Sequence, residues 1–96
     1  MTSQQAVINK LKTIKDRLRQ AYHVTKISLF GSVARNEATA QSDVDLVLEF
    51  AEPIGWDLVT LAEELETLLA CKVDAIPRDA IKPRLWAVIE KDLVDV

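Results

Sequence analysis

The sequence predicts one small α+β domain in which a short mixed sheet is flanked by helices. Apolar residues recur at helical spacing in three segments, and β-prone apolar runs lie between those segments. Glycine or proline separates several of the elements. The 96 residues are enough to bury one core and too few for a second, so we expect a single domain over residues 1–96.

The first half of the chain predicts a helix, a strand, a tight turn with a short helix, and a second strand. Their expected ranges are residues 4–22, 24–30, 33–36 and 43–50, respectively. Ser3, or Thr2 together with Gln5, could cap the first helix. Gly31 follows the first strand and favours the tight turn, and residues 37–41 are expected to form a loop.

The second half predicts a helix, a strand, a helix and a short edge strand. Their expected ranges are residues 56–70, 71–76, 83–91 and 93–96, respectively. Pro53 and Gly55 interrupt the pattern before the longer helix, whose leucines form a buried stripe. Pro77 is expected to end the third strand, and Pro83 fits the first turn of the last helix.

The most informative segment is GSVARNEATAQSDVD, which spans residues 31–45. An apolar strand enters the Gly31–Ser32 turn, whose backbone N–H groups can face an anion such as a triphosphate. After ten further residues, Asp43 and Asp45 fall on one face of a strand, with Cα atoms about 6–7 Å apart. Such carboxylates repel each other unless a cation intervenes, and oxygen ligands of this kind suit Mg²⁺. The segment therefore predicts a site for a nucleotide and its metal.

This stretch resembles the signature of the polymerase-beta-like nucleotidyltransferases, in which Gly-Ser is followed at this spacing by Asp-x-Asp. More narrowly, it resembles the minimal nucleotidyltransferase (MNT) domain, where an Ala-Arg step follows Gly-Ser and a serine precedes the first aspartate. Arg35 and Ser42 occupy those two positions. Asn36 stands where MNT domains commonly have glycine, but asparagine tolerates the left-handed conformation. The resemblance implies the small polymerase-beta-like nucleotidyltransferase fold.

The resemblance also implies roles for the site residues. Asp43 and Asp45 would hold two Mg²⁺ ions. Asp74, which lies between apolar residues of the third predicted strand, would contact the metal nearer the acceptor and help to deprotonate the attacking hydroxyl. ATP would be the substrate. The nucleotide-binding set would comprise Gly31, Ser32, Arg35 and Ser42.

Five of these residues also have a purely structural interpretation. An Asp-x-Asp pair, or Asp74 alone, can simply face solvent from a strand. Arg35 can bind a phosphate or pair with Glu37. Ser32 can donate to phosphates, cap the short helix, or do both.

Four further residues are expected to be structural. Cys71 should pack as a small apolar residue, and His23 should lie at the surface or cap the first helix. Trp56 and Trp86 should contribute to core packing or to a partner interface rather than stack on a base.

Composition limits the partners and the compartment. The formal net charge is −3 and the isoelectric point is near 5.1, so the chain lacks the basic surface of a nucleic-acid binder. We expect no signal segment and no apolar run of about 18 residues, and hence no membrane contact. The single cysteine fits a reducing, cytoplasmic location. We recognise no acceptor domain, so the acceptor is expected either to be held by a partner or to be a protein itself.

Two functions are consistent with these observations. The resemblance implies an antitoxin enzyme that transfers AMP from ATP to a hydroxyl of a cognate HEPN-domain ribonuclease toxin, with tyrosine as the expected acceptor. The enzyme and the toxin would form a hetero-oligomer. The alternative is a non-catalytic antitoxin that neutralises the toxin by binding alone. The presence of Asp43, Asp45 and Asp74 together favours the enzyme.

Overall fold

The computed structural model describes residues 3–96, so the possible cap Thr2 lies outside the described residues. The helices are α1 (Gln4–Tyr22), α2 (Gly31–Ala34), α3 (Asp57–Leu69) and α4 (Pro83–Ile89). The strands are β1 (Val24–Phe30), β2 (Val44–Phe50), β3 (Val73–Pro77) and β4 (Val94–Asp95). Short 3₁₀ turns, Arg78–Ala80 and Glu90–Asp92, precede and follow α4. This arrangement confirms the predicted α+β class.

The four strands form one mixed sheet in the order β3-β2-β1-β4. β1 pairs antiparallel with both β2 and β4, whereas β2 pairs parallel with β3. A parallel pair needs a crossover connection, and α3 provides it. The C-terminal segment pairs at the sheet edge, as expected.

The two sheet faces are covered unequally. Leu46 and Leu48 are fully buried against α1 and α3 in the main core, whereas Asp45 lies on the opposite face. We call that opposite face the acid-bearing face. Val47 also lies there, as the period-two pattern predicts, but it is buried in a second cluster with Ile89 of α4. α4 therefore covers part of the acid-bearing face.

Two local predictions about helix ends are confirmed. The Ser3 side chain caps α1 by accepting a hydrogen bond from Ala6 N at 3.1 Å. Asn36 adopts the left-handed conformation, with φ of 59°, directly after α2 and its C-cap. The start of α1 also contacts α2, since Gln4 Nε2 donates to Ala34 O at 2.7 Å. This contact with α1 therefore helps to hold α2, and with it the turn between β1 and β2, in place.

Several element ends lie one or two residues from the predicted ones, and three of these differences have a clear structural cause. α2 begins at Gly31 rather than residue 33, because the Gly31 carbonyl already accepts from Arg35 N at 3.1 Å. β3 begins at Val73 rather than residue 71, since Lys72 O first accepts from Val44 N at 2.9 Å across the sheet. α4 ends at Ile89 because its last turn tightens into a 3₁₀ turn. Within residues 3–96, none of the helices combines the length and hydrophobicity needed to cross a bilayer.

Candidate active site

The predicted acidic residues lie at the same end of β2 and β3. Asp45 and Asp74 are direct partners in the parallel ladder, so their side chains leave the same sheet face. Val44 and Val73, their preceding neighbours, are both buried in the main core on the other face, which fixes this orientation. Asp43 lies immediately before β2 and is exposed. The structure thus brings Asp45 and Asp74 together, with Asp43 beside them.

The Asp45 carboxyl lies in an environment that disfavours its negative charge. The pKa of Asp45 is raised above its ordinary value, first because the carboxyl is partly buried and then because Asp74 and Asp43 carry like charges. The positive charge of Arg35 lowers the pKa of Asp45 and so partly offsets this increase. Negative charge is therefore concentrated at this end of the sheet, and a bound cation would relieve it.

Gly31 places the turn directly against the acidic residues. Its φ is 73°, a conformation that side chains disfavour, and a Cβ at this position would overlap Asp45 Oδ2. Only glycine allows the backbone of the turn to approach this carboxylate so closely. The turn and the acidic pair therefore form one contiguous surface.

The donor chemistry of this surface fits Mg²⁺. In residues 3–96, no group of three or more His, Cys, Asp or Glu side chains already has the geometry of a metal cage. Mg²⁺ does not require one, since it usually takes one or two protein carboxylates and completes its octahedron with water and phosphate oxygens. Asp45 and Asp74 lie side by side on adjacent strands and can supply those carboxylate ligands. The number of ions and the part played by Asp43 stay predictions.

Arg35 makes two ion pairs, one of which the sequence reasoning missed. Its Nε lies 3.3 Å from Glu37 Oε1, which is the structural one of the two alternatives that the sequence left open. Its Nη1 also donates to Asp92 Oδ2 at 3.0 Å. Asp92 is 57 residues away in sequence, and no local pattern distinguishes it from other surface acids. The proposed contact of Arg35 with phosphate stays a prediction.

The two serines of the predicted nucleotide-binding set occupy different surroundings. Ser42 organises the loop before β2, because its Oγ accepts from Thr39 N at 2.9 Å and its own N–H donates to Thr39 O at 3.1 Å. Ser32 is the second residue of α2, and its carbonyl accepts from Glu37 N at 2.8 Å. Contacts of either hydroxyl with a nucleotide stay predictions.

Cys71 and His23 behave as structural residues. Cys71 is partly buried against the main core, and the pKa of its thiol is raised, chiefly by burial and then by the Asp43 charge. A raised pKa makes the thiol less reactive. His23 is the left-handed C-cap of α1, where its backbone N–H donates to Arg19 O at 3.0 Å. Both expectations are confirmed.

The tryptophans divide between packing and exposure. Trp86 packs in the second cluster, and the Arg78 guanidinium lies 3.8 Å from its ring centroid. Trp56 is 90% exposed, so a core role for it is wrong. It is the N-cap of α3 and thus precedes the helical positions that face the core.

A sequence profile described as "Nucleotidyltransferase domain" matches residues 11–96. The chain belongs to the nucleotidyltransferase domain family. Two relatives are named as protein adenylyltransferases. One, from Methanocaldococcus jannaschii, is 41% identical over 86 residues, which cover 88% of each chain. The other, MntA of Thermococcus cleftensis, is 35% identical over 83 residues, which cover 85% of this nucleotidyltransferase and 84% of MntA.

Solved structures agree on the fold. A protein described as a minimal nucleotidyltransferase superposes with a TM-score of 0.85 at 26% identity, covering all of this nucleotidyltransferase and 98% of the other chain. An MNT antitoxin, solved in complex with a tri-AMPylated HEPN toxin of Shewanella oneidensis, gives a TM-score of 0.67 at 22% identity. That match covers 96% of this chain and 70% of the other, and it shows shared fold alone.

The acid-bearing face of this nucleotidyltransferase is open at the end where the aspartates lie. Val47, two residues beyond Asp45 on the same face, is buried by the second cluster under α4. Asp74 is exposed on β3, which is an edge strand. Asp74, and Asp45 in part, are therefore accessible to solvent at this end of the sheet.

Proposed function

We propose that this nucleotidyltransferase is an antitoxin that transfers AMP from ATP to a hydroxyl of a HEPN-domain ribonuclease, with Mg²⁺ as cofactor and tyrosine as the expected acceptor. The observation that carries the proposal is the pairing of Asp45 with Asp74 on an open sheet face, directly against the Gly31 turn. The relatives named as protein adenylyltransferases support a protein acceptor. The Shewanella complex supports the choice of a HEPN toxin as partner.

In the proposed reaction the acceptor oxygen attacks the α-phosphorus of ATP. A new P–O bond forms, the bond to the bridging oxygen breaks, and pyrophosphate leaves. Asp74, exposed at the edge strand, accepts the hydroxyl proton directly or through one water. When bound to Asp43 and Asp45, Mg²⁺ would neutralise phosphate charge and favour loss of that proton. The Gly31–Ser32 backbone and Arg35 would bind the departing phosphates.

The product explains how the toxin would be neutralised. AMP is bulky and anionic, so its attachment beside an RNA-binding cleft would exclude substrate by sterics and by repulsion of the RNA phosphates. The antitoxin would then inactivate the toxin by a lasting covalent change. Neutralisation by binding alone predicts no such change.

Mass spectrometry of the toxin distinguishes the two mechanisms. The chain is incubated with a cognate HEPN ribonuclease, ATP and Mg²⁺. We expect the mass of the toxin to increase by a whole number of AMP groups and pyrophosphate to be released. The Asp43→Asn/Asp45→Asn double variant should give none. Glu49→Gln is a matched control, since Glu49 lies on β2 but pairs with Lys26, away from the acid cluster, and it should retain transfer. A toxin that is neutralised without a mass change, and equally well by the double variant, favours binding alone.

A further inference from the structure

The ion pair between Arg35 and Asp92 joins two distant parts of the chain beside the acidic site. Arg35 directly follows α2, close to the Gly31 turn, whereas Asp92 ends the 3₁₀ turn after α4. Asp92 Oδ2 binds Nη1 at 3.0 Å, and Glu37 Oε1 lies 3.3 Å from Nε. Two carboxylates therefore hold the guanidinium at two of its three nitrogens.

Asp92 is the better anchored of the two carboxylates. Its side chain is 33% exposed, compared with 64% for Glu37. The turn that carries Asp92 lies between Ile89 and Leu93, both of which pack in the second cluster. Glu37 instead lies in the loop after α2. A carboxylate on a packed backbone restrains a long side chain more strongly than a carboxylate on a loop does. The packed carboxylate loses less conformational freedom when the ion pair forms.

The backbone of Arg35 is hydrogen-bonded to the turn that faces the acidic residues. Arg35 N donates to Gly31 O at 3.1 Å, and a Cβ on Gly31 would overlap Asp45 Oδ2. Its contacts with Asp92 and Glu37 use two of its five N–H donors, which leaves others able to bind phosphate oxygens. The charge and the remaining donors thus lie next to the surface formed by Gly31 and Asp45.

We propose that Asp92 is a positioning residue that holds Arg35 in the orientation in which it binds the nucleotide phosphates. The inference rests on the proposed use of ATP at this site. Arg35 is half-exposed, so without Asp92 its side chain would sample many rotamers in solvent. It would then have to be ordered when the nucleotide binds, and affinity would fall.

Titration calorimetry of the full chain with AMP-PNP and Mg²⁺ tests this role. Asp92→Ala should weaken binding about five- to tenfold, the loss expected when one flexible side chain must be ordered on binding. Asp92→Asn keeps an oxygen acceptor for Nη1 and should lose less. In the transfer assay, Asp92→Ala should raise the KM for ATP more than it lowers kcat. Asp95→Ala is the matched control, because Asp95 contacts Ser28 and Lys26 rather than Arg35.

A double-mutant cycle separates positioning from general structural damage. Arg35→Ala should itself weaken binding, and adding Asp92→Ala should cause no further loss, because Asp92 acts only through Arg35. Unchanged or tighter binding by Asp92→Ala, or an equal loss in the Arg35→Ala background, would overturn the inference. If the Asp92→Ala variant does not fold, the same double-mutant cycle is measured with Asp92→Asn. A wild-type chain that binds no AMP-PNP with Mg²⁺ would instead overturn the proposed function.

Discussion

Replacing Gly31 with alanine should damage the site more than the fold. The new Cβ would overlap Asp45 Oδ2, and the left-handed backbone, with φ of 73°, would cost about 1–2 kcal/mol with a side chain present. We expect a loss of stability of that size in urea unfolding together with loss of AMP-PNP binding. Gly55→Ala is the control, since Gly55 also has a positive φ, 61°, but its Cβ would meet nothing within 4 Å.

The control makes the prediction specific. Gly55→Ala should show the backbone cost alone and keep nucleotide binding. If Gly31→Ala bound AMP-PNP as well as Gly55→Ala does, the contact between the turn and Asp45 would have no functional importance.

The Asp43→Asn/Asp45→Asn variant should lose transfer while its fold is retained or slightly stabilised. The folded-state pKa of Asp45 is raised, so ionisation of its carboxyl favours the unfolded chain. This penalty is absent at a pH below the pKa of Asp45 in the unfolded chain, and it is complete at a pH above its pKa in the folded chain. In metal-free buffer the variant should therefore melt at or above the wild-type temperature at pH 7, and the gain should disappear in acid. A variant that melts well below wild type at pH 7 would contradict this account.

Single residues also show what the sequence could and could not reveal. Asp43 and Asp45 stand out because they alternate in an apolar strand after Gly-Ser, and Asp74 because it interrupts another apolar strand. Asp92 carries no such signal, because its contact with Arg35 depends on how α4 folds back over the sheet.

Among the elements, α1 and α3 are joined by a pH-sensitive contact. Glu64 of α3 accepts from Arg17 Nε at 2.6 Å and from the Tyr22 hydroxyl at 2.9 Å. The hydrogen bond from Arg17 makes the largest contribution to lowering the pKa of Glu64, and the Tyr22 hydrogen bond adds to it. Burial acts in the opposite direction. A lowered folded-state pKa contributes stability above the unfolded value, about 4.3, and that stability is lost as the pH falls through the folded value.

Glu64→Gln should therefore lower the melting temperature at pH 7, and the loss should be smaller at pH 3. Thermal melts followed by circular dichroism at both pH values would show this. Glu63→Gln, one residue earlier and exposed, should have little effect at either pH. An equal loss from Glu64→Gln at both pH values would mean that packing, rather than charge, joins the two helices.

The ends of the elements were predictable where local signals set them. α1 and β1 occupy the expected residues, because a long apolar period, the Ser3 cap and the left-handed His23 define them within the chain itself. The start of β3 depends instead on tertiary bonds. Glu66 Oε2 accepts from Val73 N at 3.0 Å, and this contact between α3 and the sheet has no local sequence pattern.

For the whole molecule, Mg²⁺ should stabilise the folded state. An ion that binds only folded protein raises the melting temperature with its concentration. We expect millimolar Mg²⁺ to raise the melting temperature of the wild type, and chelation by EDTA to reverse the shift and stop transfer. The Asp43→Asn/Asp45→Asn variant should not respond. An equal shift in that variant would show that Mg²⁺ acts elsewhere.

At this scale the fold class could be predicted, but the strand order could not. Period-two runs and helical stripes indicate how many elements exist and which side of each is apolar. The order β3-β2-β1-β4 depends on pairing between residues far apart in sequence, such as Ser28 with Asp95. No local pattern specifies such pairs.

The alignment of β2 with β3 has one more consequence. Val44 lies opposite Val73, and Asp45 lies opposite Asp74. If β3 slipped by one residue so that Val73 lay opposite Asp45, Asp74 would turn toward the main core. An unpaired carboxylate in a hydrophobic core is costly, so slipped molecules would tend to unfold. Folding therefore selects the strand alignment that the proposed catalysis requires, because the slipped alignment is the less stable one.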